Sequence, residues 1–336
     1  MKAKLGWGLI GASTIAREWM VDAINAQPDS QVVNIMSSSP VRAQQFAHTH
    51  HIARHCTALD EFLADPAIDV VYISTTNELH KEQTLAAAHA GKHVLCEKPL
   101  ALTLADAKAM DAACAKAGVV LGANHHLRNA VTHRTLRKLI AEGAIGQPLA
   151  ARVFHAVYLP PHLQGWRINA PQAGGGVILD ITVHDVDTLR FVLDANLESV
   201  MAMEAQQGMA QHRLGDAVMG VMRFDNGVLA QFHDAFTIQH TGTGMQIHGT
   251  EGSLLAEDVM TQQPIGKLYL RRHADVEEIE TDPPENLYMR SVRLFNQAVK
   301  GEGQPAASAQ DGIQSLAGAL AVAESAQTGK QVEVQS

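Results

Sequence analysis

The chain has 336 residues, of which 46% are hydrophobic and 18% are charged, and its formal net charge is −9. Because this length exceeds what a single hydrophobic core usually supports, two domains are expected. The negative charge gives no electrostatic footprint for nucleic acid or for an anionic membrane, so both are excluded as predicted partners. The sequence shows no signal peptide and no transmembrane segment, which predicts a cytoplasmic protein.

The first half of the chain alternates short apolar runs with segments of helical periodicity. This alternation predicts an α/β domain, a Rossmann-type doubly wound parallel sheet, over residues 1–124. Thr57 and Asp60 have the spacing of a capping box at the start of the third helix. The predicted strands are Leu5–Ile10, Gln31–Met36, Asp69–Ser74, His93–Cys96 and Val119–Ala123, and the predicted helices are Ile15–Asn25, Val41–His48, Ala58–Ala64, His80–Ala90 and Leu104–Ala117.

A glycine-containing turn follows the first strand. The run Gly11-Ala12-Ser13-Thr14-Ile15-Ala16 fits the dinucleotide-binding fingerprint G-x-G-x-x-G/A at its first and last positions and has serine at the middle one. Gly11 suits a tight turn and Ala16 suits close packing of helix on sheet. The turn is therefore predicted to bind a pyrophosphate, with the Ser13 hydroxyl as a further donor. The alternative is a strand-to-helix turn without a ligand.

The residues after the second strand predict which nicotinamide cofactor is used. A carboxylate at this position would bind the ribose 2′-hydroxyl and repel a 2′-phosphate. The chain instead reads Met36-Ser37-Ser38-Ser39-Pro40-Val41-Arg42, without an acidic residue. Ser37 and Ser38 can donate to phosphate oxygens, and Arg42 can pair with a phosphate bidentately. NADP(H) is predicted over NAD(H), and the alternative is a polar loop with a solvated arginine.

The second half of the chain has a different pattern, which predicts an α+β substrate-binding domain over residues 125–336 with a large, mostly antiparallel sheet. Asp225-Asn226-Gly227 is a strong hairpin signal. A long loop is predicted around Pro160-Pro161 and Gly174-Gly175-Gly176. The predicted helices are Ala130–Glu142, Val177–Leu193, Leu287–Lys300 and Asp311–Ala326, and the predicted strands are Ala150–Tyr158, Ser199–Ala205, Asp216–Phe224, Val228–Phe236, Gly244–His248, Ser253–Glu257 and Lys267–Leu270.

Two motifs contain candidate catalytic residues. Glu97-Lys98-Pro99 follows a predicted buried strand, so Lys98 lies where open α/β sheets bind ligands. Asp180 and His184 are four residues apart in a predicted helix, and this spacing places both side chains on one face. The alternatives are a solvated lysine and a helix-surface ion pair, which contributes little energy. The apolar neighbours of Asp180 and His184 disfavour an exposed pair.

The chain resembles the Gfo/Idh/MocA oxidoreductase family at several long motifs. This resemblance implies a two-domain enzyme that uses NADPH to reduce the ring ketone of a sugar to one epimer. It also implies that Lys98, Asp180 and His184 are catalytic, with His184 as the general acid, and that the bond before Pro99 is cis. The motifs are Glu97-Lys98-Pro99 and the strings at residues 8–19, 74–80, 124–129 and 154–167.

The resemblance and the motif positions together predict a set of binding residues. Aromatic faces and a guanidinium suit a sugar ring, although Tyr158, Trp166 and Arg167 could instead only pack the loop. The predicted substrate-binding residues are Arg128, His155, Tyr158, Trp166, Asp180 and His184. The predicted cofactor-binding residues are Gly11, Ala12, Ser13, Thr14, Ile15, Ser37, Ser38, Arg42, Ser74, Thr75, Thr76, Asn77, His80, Glu97, Lys98, Asn124, Trp166 and Arg167.

No metal site is predicted, although the chain contains 18 histidines. They form no H-E-x-x-H motif, and the three cysteines are widely spaced without a C-x-x-C pair, so reduced structural thiols are expected. Two alternative functions stay open at this point. One is an inositol, pyranose or dihydrodiol dehydrogenase of the same fold, and the other is a nucleotide-sensing regulator without catalysis. The sequence does not predict an oligomeric state.

Overall fold

A computed structural model describes residues 4–335, which form two compact units. The first unit contains the chain up to His125 together with Tyr288–Ile313. The second unit contains His126–Leu287 together with the residues from Gln314 onward. A parallel Rossmann-type sheet and a mostly antiparallel sheet are both present, so the predicted fold class is confirmed.

The first unit is built on a six-stranded parallel sheet with the strand order β3-β2-β1-β4-β5-β6. This is the order of a doubly wound nucleotide-binding sheet. Strands β1 and β4 lie at the centre of this sheet and are almost completely buried. This burial is expected because helices cover both faces of a doubly wound sheet. The strands are β1 Leu5–Ile10, β2 Ser30–Met36, β3 Arg54–Cys56, β4 Val70–Ile73, β5 His93–Cys96 and β6 Leu121–Ala123, and the helices are α1 Val21–Asn25, α2 Pro40–Thr49, α3 Leu59–Leu63, α4 His80–His89 and α5 Leu104–Ala117.

The second unit is built on a nine-stranded sheet with the order β14-β13-β12-β11-β7-β10-β9-β8-β15. All neighbouring strands are antiparallel except β7 and β10, which pair in parallel. The strands are β7 Pro148–Ala156, β8 Leu197–Ala205, β9 Ala217–Phe224, β10 Leu229–Ala235, β11 Gly244–Gly249, β12 Ser253–Glu257, β13 Lys267–Arg272, β14 Asp275–Glu278 and β15 Val332–Glu333, and the helices are α6 Val131–Ala141, α7 Pro161–Asn169, α8 Val183–Leu193 and most of α10 Ala309–Thr328. Helix α9 Leu287–Val299 belongs to the first unit from Tyr288 onward.

The segment Tyr288–Ile313 completes the first unit, whereas the predicted division at residues 124 and 125 places it in the second. Phe295 packs on Trp7 of β1 with 5.6 Å between the ring centroids. Asn296 donates to Ser30 at 2.7 Å, and Ser308 forms a bridge with Gly122 of β6. The segment therefore covers the buried indole and the outer strand of the parallel sheet, and sequence distance alone does not reveal this packing.

Local signals explain most element boundaries. Ser39 caps α2 by accepting from the Arg42 N–H at 3.3 Å, and Pro40 begins the helix. Thr103 caps α5 in the same way, and the helix ends at Gly118, which has a φ of +68°. The predicted Thr57–Asp60 capping box is wrong, because Ala58 is the N-cap of α3 and no side chain caps this helix.

Three segments differ in type from the prediction. The predicted loop between β7 and α8 contains helix α7, which Pro161 begins. The predicted helices at residues 15–25 and 177–193 each start with a π-helical turn, at Ala16–Met20 and at Ile178–Thr182. Such turns are rare and occur often at functional sites.

Candidate functional site

The predicted cofactor residues of the first unit lie at the carboxyl ends of the parallel strands. Gly11 follows β1, Ser37 follows β2, Ser74 follows β4, Glu97 follows β5 and Asn124 follows β6. The strand order reverses between β1 and β4, and ligands of doubly wound sheets bind at this point. The sheet topology thus brings these separate motifs to one edge.

Both the backbone conformation at position 11 and the space around it require a glycine. Its φ is +107°, and its N–H donates to the Met36 carbonyl at 2.9 Å. A Cβ at this position would lie 3.1 Å from the carbonyl carbon and oxygen of Ser74. The turn therefore keeps backbone exposed above the sheet, as a pyrophosphate needs. Ala12, Ser13, Thr14 and Ile15 follow in this turn and are all partly exposed.

The Ser13 hydroxyl already has partners within the protein. It donates to Ser74 Oγ at 2.8 Å and accepts from the Ala16 N–H at 3.1 Å. Ser74 Oγ in turn donates to the Gly11 carbonyl at 3.4 Å. Serine at the middle position of the fingerprint thus connects the turns after β1 and β4 and caps the following helix. Its contact with phosphate stays a prediction.

The loop after β2 carries hydroxyl groups and a guanidinium. Ser38 and Arg42 are exposed, and an Arg42 Nη2 donor lies 3.3 Å from Ser38 Oγ. Ser37 is buried, and its Oγ lies 3.5 Å from the Ser39 N–H. A hydroxyl and a guanidinium therefore lie side by side at the surface of the nucleotide unit.

Lys98 follows a buried carboxylate with fixed partners. Glu97 Oε1 accepts from the Tyr72 hydroxyl at 2.6 Å and from Asn124 Nδ2 at 2.7 Å. Asn124 Oδ1 accepts from Ser291 Oγ at 2.9 Å. Burial raises the pKa of Glu97, and these two hydrogen bonds and the Lys98 charge oppose the rise. The network holds the backbone at Lys98, whose side chain is half-buried, and the Lys98–Pro99 bond is cis, as predicted.

His80 connects the turns after β4 and β5. Its Nδ1 lies 2.9 Å from the Pro99 carbonyl, and its Nε2 lies 3.3 Å from the Thr75 carbonyl. Burial lowers the pKa of this imidazole, and the two carbonyl contacts oppose the shift. Thr75 donates to Gln83 at 2.7 Å, and Thr76 donates to Glu78 at 2.8 Å. Asn77 is buried at the start of the turn that leads into α4, and these residues therefore shape the binding edge.

In the second unit, Asp180 lies in the π-helical turn and His184 lies in the first turn of α8. The His184 side chain is buried, and its ring meets the His126 ring edge-on at 4.9 Å between centroids. The His155 ring lies 6.4 Å from His184 by the same measure. The two predicted catalytic residues of this unit therefore share one helix, within a group of histidines.

Asp180 is held by the helix that the sequence prediction missed. Arg167 of α7 donates through Nε to Asp180 Oδ2 at 3.0 Å, and its guanidinium carbon lies 4.7 Å above the Trp166 ring. The glycine run makes this possible, because a Cβ on Gly175 would lie 2.9 Å from the Trp166 carbonyl. Trp166, Arg167 and Asp180 thus form one connected surface of stacked ring, cation and carboxylate.

The other predicted substrate residues have different environments. Arg128 forms a buried bidentate pair with Asp187, from Nε at 2.8 Å and from Nη2 at 2.7 Å. This ion pair accounts for the burial of Arg128 without a sugar, and its substrate contact stays a prediction. Tyr158 is 43% exposed, and His155 Nδ1 lies 2.7 Å from Asp185 Oδ1.

Sequence reasoning missed several buried polar residues around these sites. Tyr72 and Ser291 complete the Glu97 network, while Thr182, Asp185 and Asp234 lie next to His155 and His184 in the second unit. The string Asp180 to Asp187 is dense in polar residues for a buried helix, and this signal could have indicated Asp185. Asp234 has no such signal.

Within residues 4–335, no cluster of three or more histidine, cysteine or acidic side chains could hold a metal ion. No helix in the same range is long and apolar enough to cross a membrane.

The parallel sheet, the tight glycine turn and the polar strand ends define a dinucleotide-dependent oxidoreductase. Residues 5–125 match the family described as an oxidoreductase family with an NAD-binding Rossmann fold, and residues 133–255 match the GFO/IDH/MocA C-terminal domain. Together with the relatives below, these matches show that the chain belongs to the Gfo/Idh/MocA oxidoreductase family, as the resemblance predicts. A nicotinamide dinucleotide fits the cradle that a Cβ on Gly11 would fill.

Among relatives, the chain is 56% identical to the 1,5-anhydro-D-fructose reductase of Ensifer adhaerens, over 98% of each chain. It is 28% identical to the myo-inositol 2-dehydrogenase of Thermotoga maritima, over 76% of this chain and 77% of the relative. Among solved structures, levoglucosan dehydrogenase in complex with NADH and levoglucosan superimposes with a TM-score of 0.89 and 26% identity, over 99% of this chain and 100% of that one.

Proposed function

We propose that this enzyme uses NADPH to reduce the C2 ketone of 1,5-anhydro-D-fructose, giving 1,5-anhydro-D-mannitol. The observation that carries the proposal is the 56% identity, over 98% of each chain, to a relative named 1,5-anhydro-D-fructose reductase. The connected surface of Trp166, Arg167 and Asp180 supports a ring substrate with several hydroxyl groups. Aromatic faces and charged hydrogen-bonding groups together suit a sugar.

The proposed mechanism gives each catalytic residue one role. When bound, the nicotinamide supplies a hydride to C2. Lys98 and His184 donate to the carbonyl oxygen as negative charge develops there. The His184 imidazolium gives its proton to this oxygen, which leaves a C2 hydroxyl and a neutral imidazole. Asp180, held by Arg167, accepts from a neighbouring ring hydroxyl and orients the sugar.

The preference for NADPH rests on Ser38 and Arg42, which are exposed side by side after β2. Ser37→Asp is expected to weaken NADPH and improve NADH, because a carboxylate repels the 2′-phosphate and accepts from the ribose hydroxyls. The ratio of kcat/KM for NADPH over NADH should fall by about tenfold or more, the equivalent of one charge-assisted hydrogen bond. Arg42→Ala is the matched variant and should weaken NADPH without improving NADH. Unchanged cofactor preference in both variants would reject the role of this loop.

Product analysis tests the substrate and the stereochemistry together. A ring fixed in one orientation exposes one face of C2 to hydride, so a single epimer is expected. NMR after incubation with NADPH and 1,5-anhydro-D-fructose should show 1,5-anhydro-D-mannitol, while ring ketones without neighbouring hydroxyls should turn over poorly. Formation of the glucitol epimer, formation of both epimers, or rapid turnover of an inositol without consumption of this ketone would each contradict the proposal.

A further inference from the structure

A buried polar cluster lies next to His184 and has no role in the mechanism above. The parallel pairing of β7 and β10 sets His155 directly beside Asp234. Asp185 of α8 contacts His155, since its Oδ1 lies 2.7 Å from His155 Nδ1, and its carboxyl group interacts electrostatically with that of Asp234. Both aspartates are completely buried.

The two carboxyl groups need a proton between them. Thr182 Oγ1 donates to Asp234 Oδ2 at 2.6 Å, and His155 contacts Asp185 Oδ1. The other two oxygens, Asp185 Oδ2 and Asp234 Oδ1, are buried, and no protein donor within residues 4–335 reaches them. Two adjacent carboxylates cannot both be ionised without water, whereas one shared proton satisfies both remaining oxygens.

The electrostatics of the cluster agree with a shared proton. Burial, followed by the Asp185 charge, raises the pKa of Asp234 well above its usual value. Burial also raises the pKa of Asp185 to about 7, and the hydrogen bond with Asp234 opposes this rise. The two carboxyl groups titrate as one coupled pair, and the contact of His155 Nδ1 with Asp185 Oδ1 favours the negative charge on Asp185.

The other titratable groups around the cluster are histidines. His133 of α6 is buried with its Nδ1 2.9 Å from the Leu127 carbonyl, and burial lowers its pKa to about 4, so it stays neutral. His126 and His155 both lie against the His184 ring. Asp185 is thus the charge that His155 contacts, and His155 in turn lies near the His184 ring.

We propose that Asp185 and Asp234 share one proton. The negative charge that remains holds His155 with its Nδ1–H toward Asp185. Asp185, Asp234 and His155 together then position His184. This role rests on the proposed function, because it assumes that His184 is the general acid. The single charge fixes the His155 tautomer and favours the protonated form of His184 at neutral pH. Asp185 and Asp234 are positioning residues, since they act through the histidines.

Two isosteric variants separate this role from simple packing. In Asp234→Asn, the amide donates to Asp185 in place of the shared proton, so the charge and the His155 tautomer are kept. In Asp185→Asn the charge is lost, and the new amide donates to His155 Nδ1 and reverses the tautomer. Asp185→Asn should therefore lower kcat by at least about tenfold and move the alkaline limb of the kcat–pH profile to lower pH. Asp234→Asn should lower kcat by a smaller factor than Asp185→Asn does, and its alkaline limb should lie at the same pH as in the wild-type enzyme.

Spectroscopy tests the shared proton without substrate. Infrared spectra of the wild-type enzyme at neutral pH should contain a protonated carboxyl band that Asp234→Asn lacks. Nitrogen-15 NMR of labelled histidines should assign His155 as the Nδ1–H tautomer in wild type and in Asp234→Asn, and as the Nε2–H tautomer in Asp185→Asn. Absence of the band, or an Nε2–H tautomer in wild type, would overturn the proposal even if no variant folds.

Stability against pH gives a second readout that needs no activity. Folding raises the pKa of Asp234 well above 3.8, so from about pH 4 to neutrality the folded protein keeps a proton that the unfolded chain releases. The contribution of the pair to stability therefore falls as pH rises through this window. Asp234→Asn removes the shared proton, and its melting temperature should fall less than that of wild type over the same window. An equal fall in both proteins would contradict the shared proton.

The outcomes separate this inference from the proposed function. If the wild-type enzyme does not reduce 1,5-anhydro-D-fructose but shows the infrared band and the tautomer, the function and the positioning role both fall and the shared proton stands. Suppose instead that the ketone is reduced, that Asp185→Asn and Asp234→Asn lower kcat by the same factor, and that neither shifts the alkaline limb of the kcat–pH profile. The positioning role is then rejected and the proposed function stands.

Discussion

Replacement of Lys98 by methionine is expected to lower kcat by about 100-fold or more, because it removes one of two donors to the developing oxyanion. The side chain is half-buried and follows Glu97, whose carboxylate is held by Tyr72 and Asn124. Since Tyr72 and Asn124 keep their hydrogen bonds to Glu97 when the ammonium is removed, the fold should be intact. Initial rates of NADPH oxidation with 1,5-anhydro-D-fructose, together with a thermal melt, measure both effects.

Matched variants make the test specific. Lys116→Met removes an exposed lysine of α5 and should leave kcat unchanged. His184→Ala should lower kcat by a similar factor of about 100 while leaving NADPH affinity nearly unchanged. His240→Ala, which removes an exposed imidazole, is the control for His184→Ala. Near-normal turnover of both Lys98→Met and His184→Ala, with intact melts, would reject the assigned mechanism.

Replacement of Arg128 by methionine is expected to destabilise the second unit by about 3–5 kcal/mol, because it leaves the Asp187 carboxylate buried without its counter-ion. Both side chains of this bidentate pair are almost inaccessible to solvent, at 8% and 1% exposure. Ser315 Oγ also donates to Asp187, at 2.9 Å, but one hydroxyl does not replace a charge. The midpoint and slope of urea unfolding measure the loss.

Arg137 provides a close control for this experiment. Its guanidinium also lies over the Phe191 ring, at 4.8 Å compared with 5.4 Å for Arg128, and it pairs with Asp194 at 2.7 Å. The Asp194 side chain is 80% exposed, so Arg137→Met should cost only about 0–1 kcal/mol. Adding Asp187→Asn to Arg128→Met should restore part of the lost stability. Similar losses in the two single variants would show that packing on Phe191, rather than burial of charge, dominates.

Where local signals agree, the sequence predicts elements to the residue. Strand β1 is an unbroken apolar run, and the bounds of α5 follow from Thr103 at one end and Gly118 at the other. Helix α7 was missed because Pro160-Pro161 and the glycines at residues 165 and 174–176 are all typical of loops. Strand β3 was missed because Arg54 and His55 are exposed, so it lacks the alternation of a half-buried strand.

The candidate site was predictable where it follows single motifs. Lys98 and Gly11 lie at strand ends, and Asp180 and His184 lie in one helix, so spacing along the chain was informative. The partners of these residues depend on tertiary structure. Asp234 meets His155 only through the parallel register of β7 and β10, and Arg167 meets Asp180 only because the glycine run returns α7 to this helix. No local pattern encodes such pairings.

The return of residues 288–313 to the first unit has a consequence for biosynthesis. Asn124, which accepts from Ser291, and Trp7, which packs on Phe295, are translated long before these partners. The whole sequence between them, which makes up most of the second unit, leaves the ribosome first. The indole and the outer strand of the nascent nucleotide-binding sheet therefore stay uncovered until residues 288–313 have been translated. A chaperone has the most exposed apolar surface to shield during this interval.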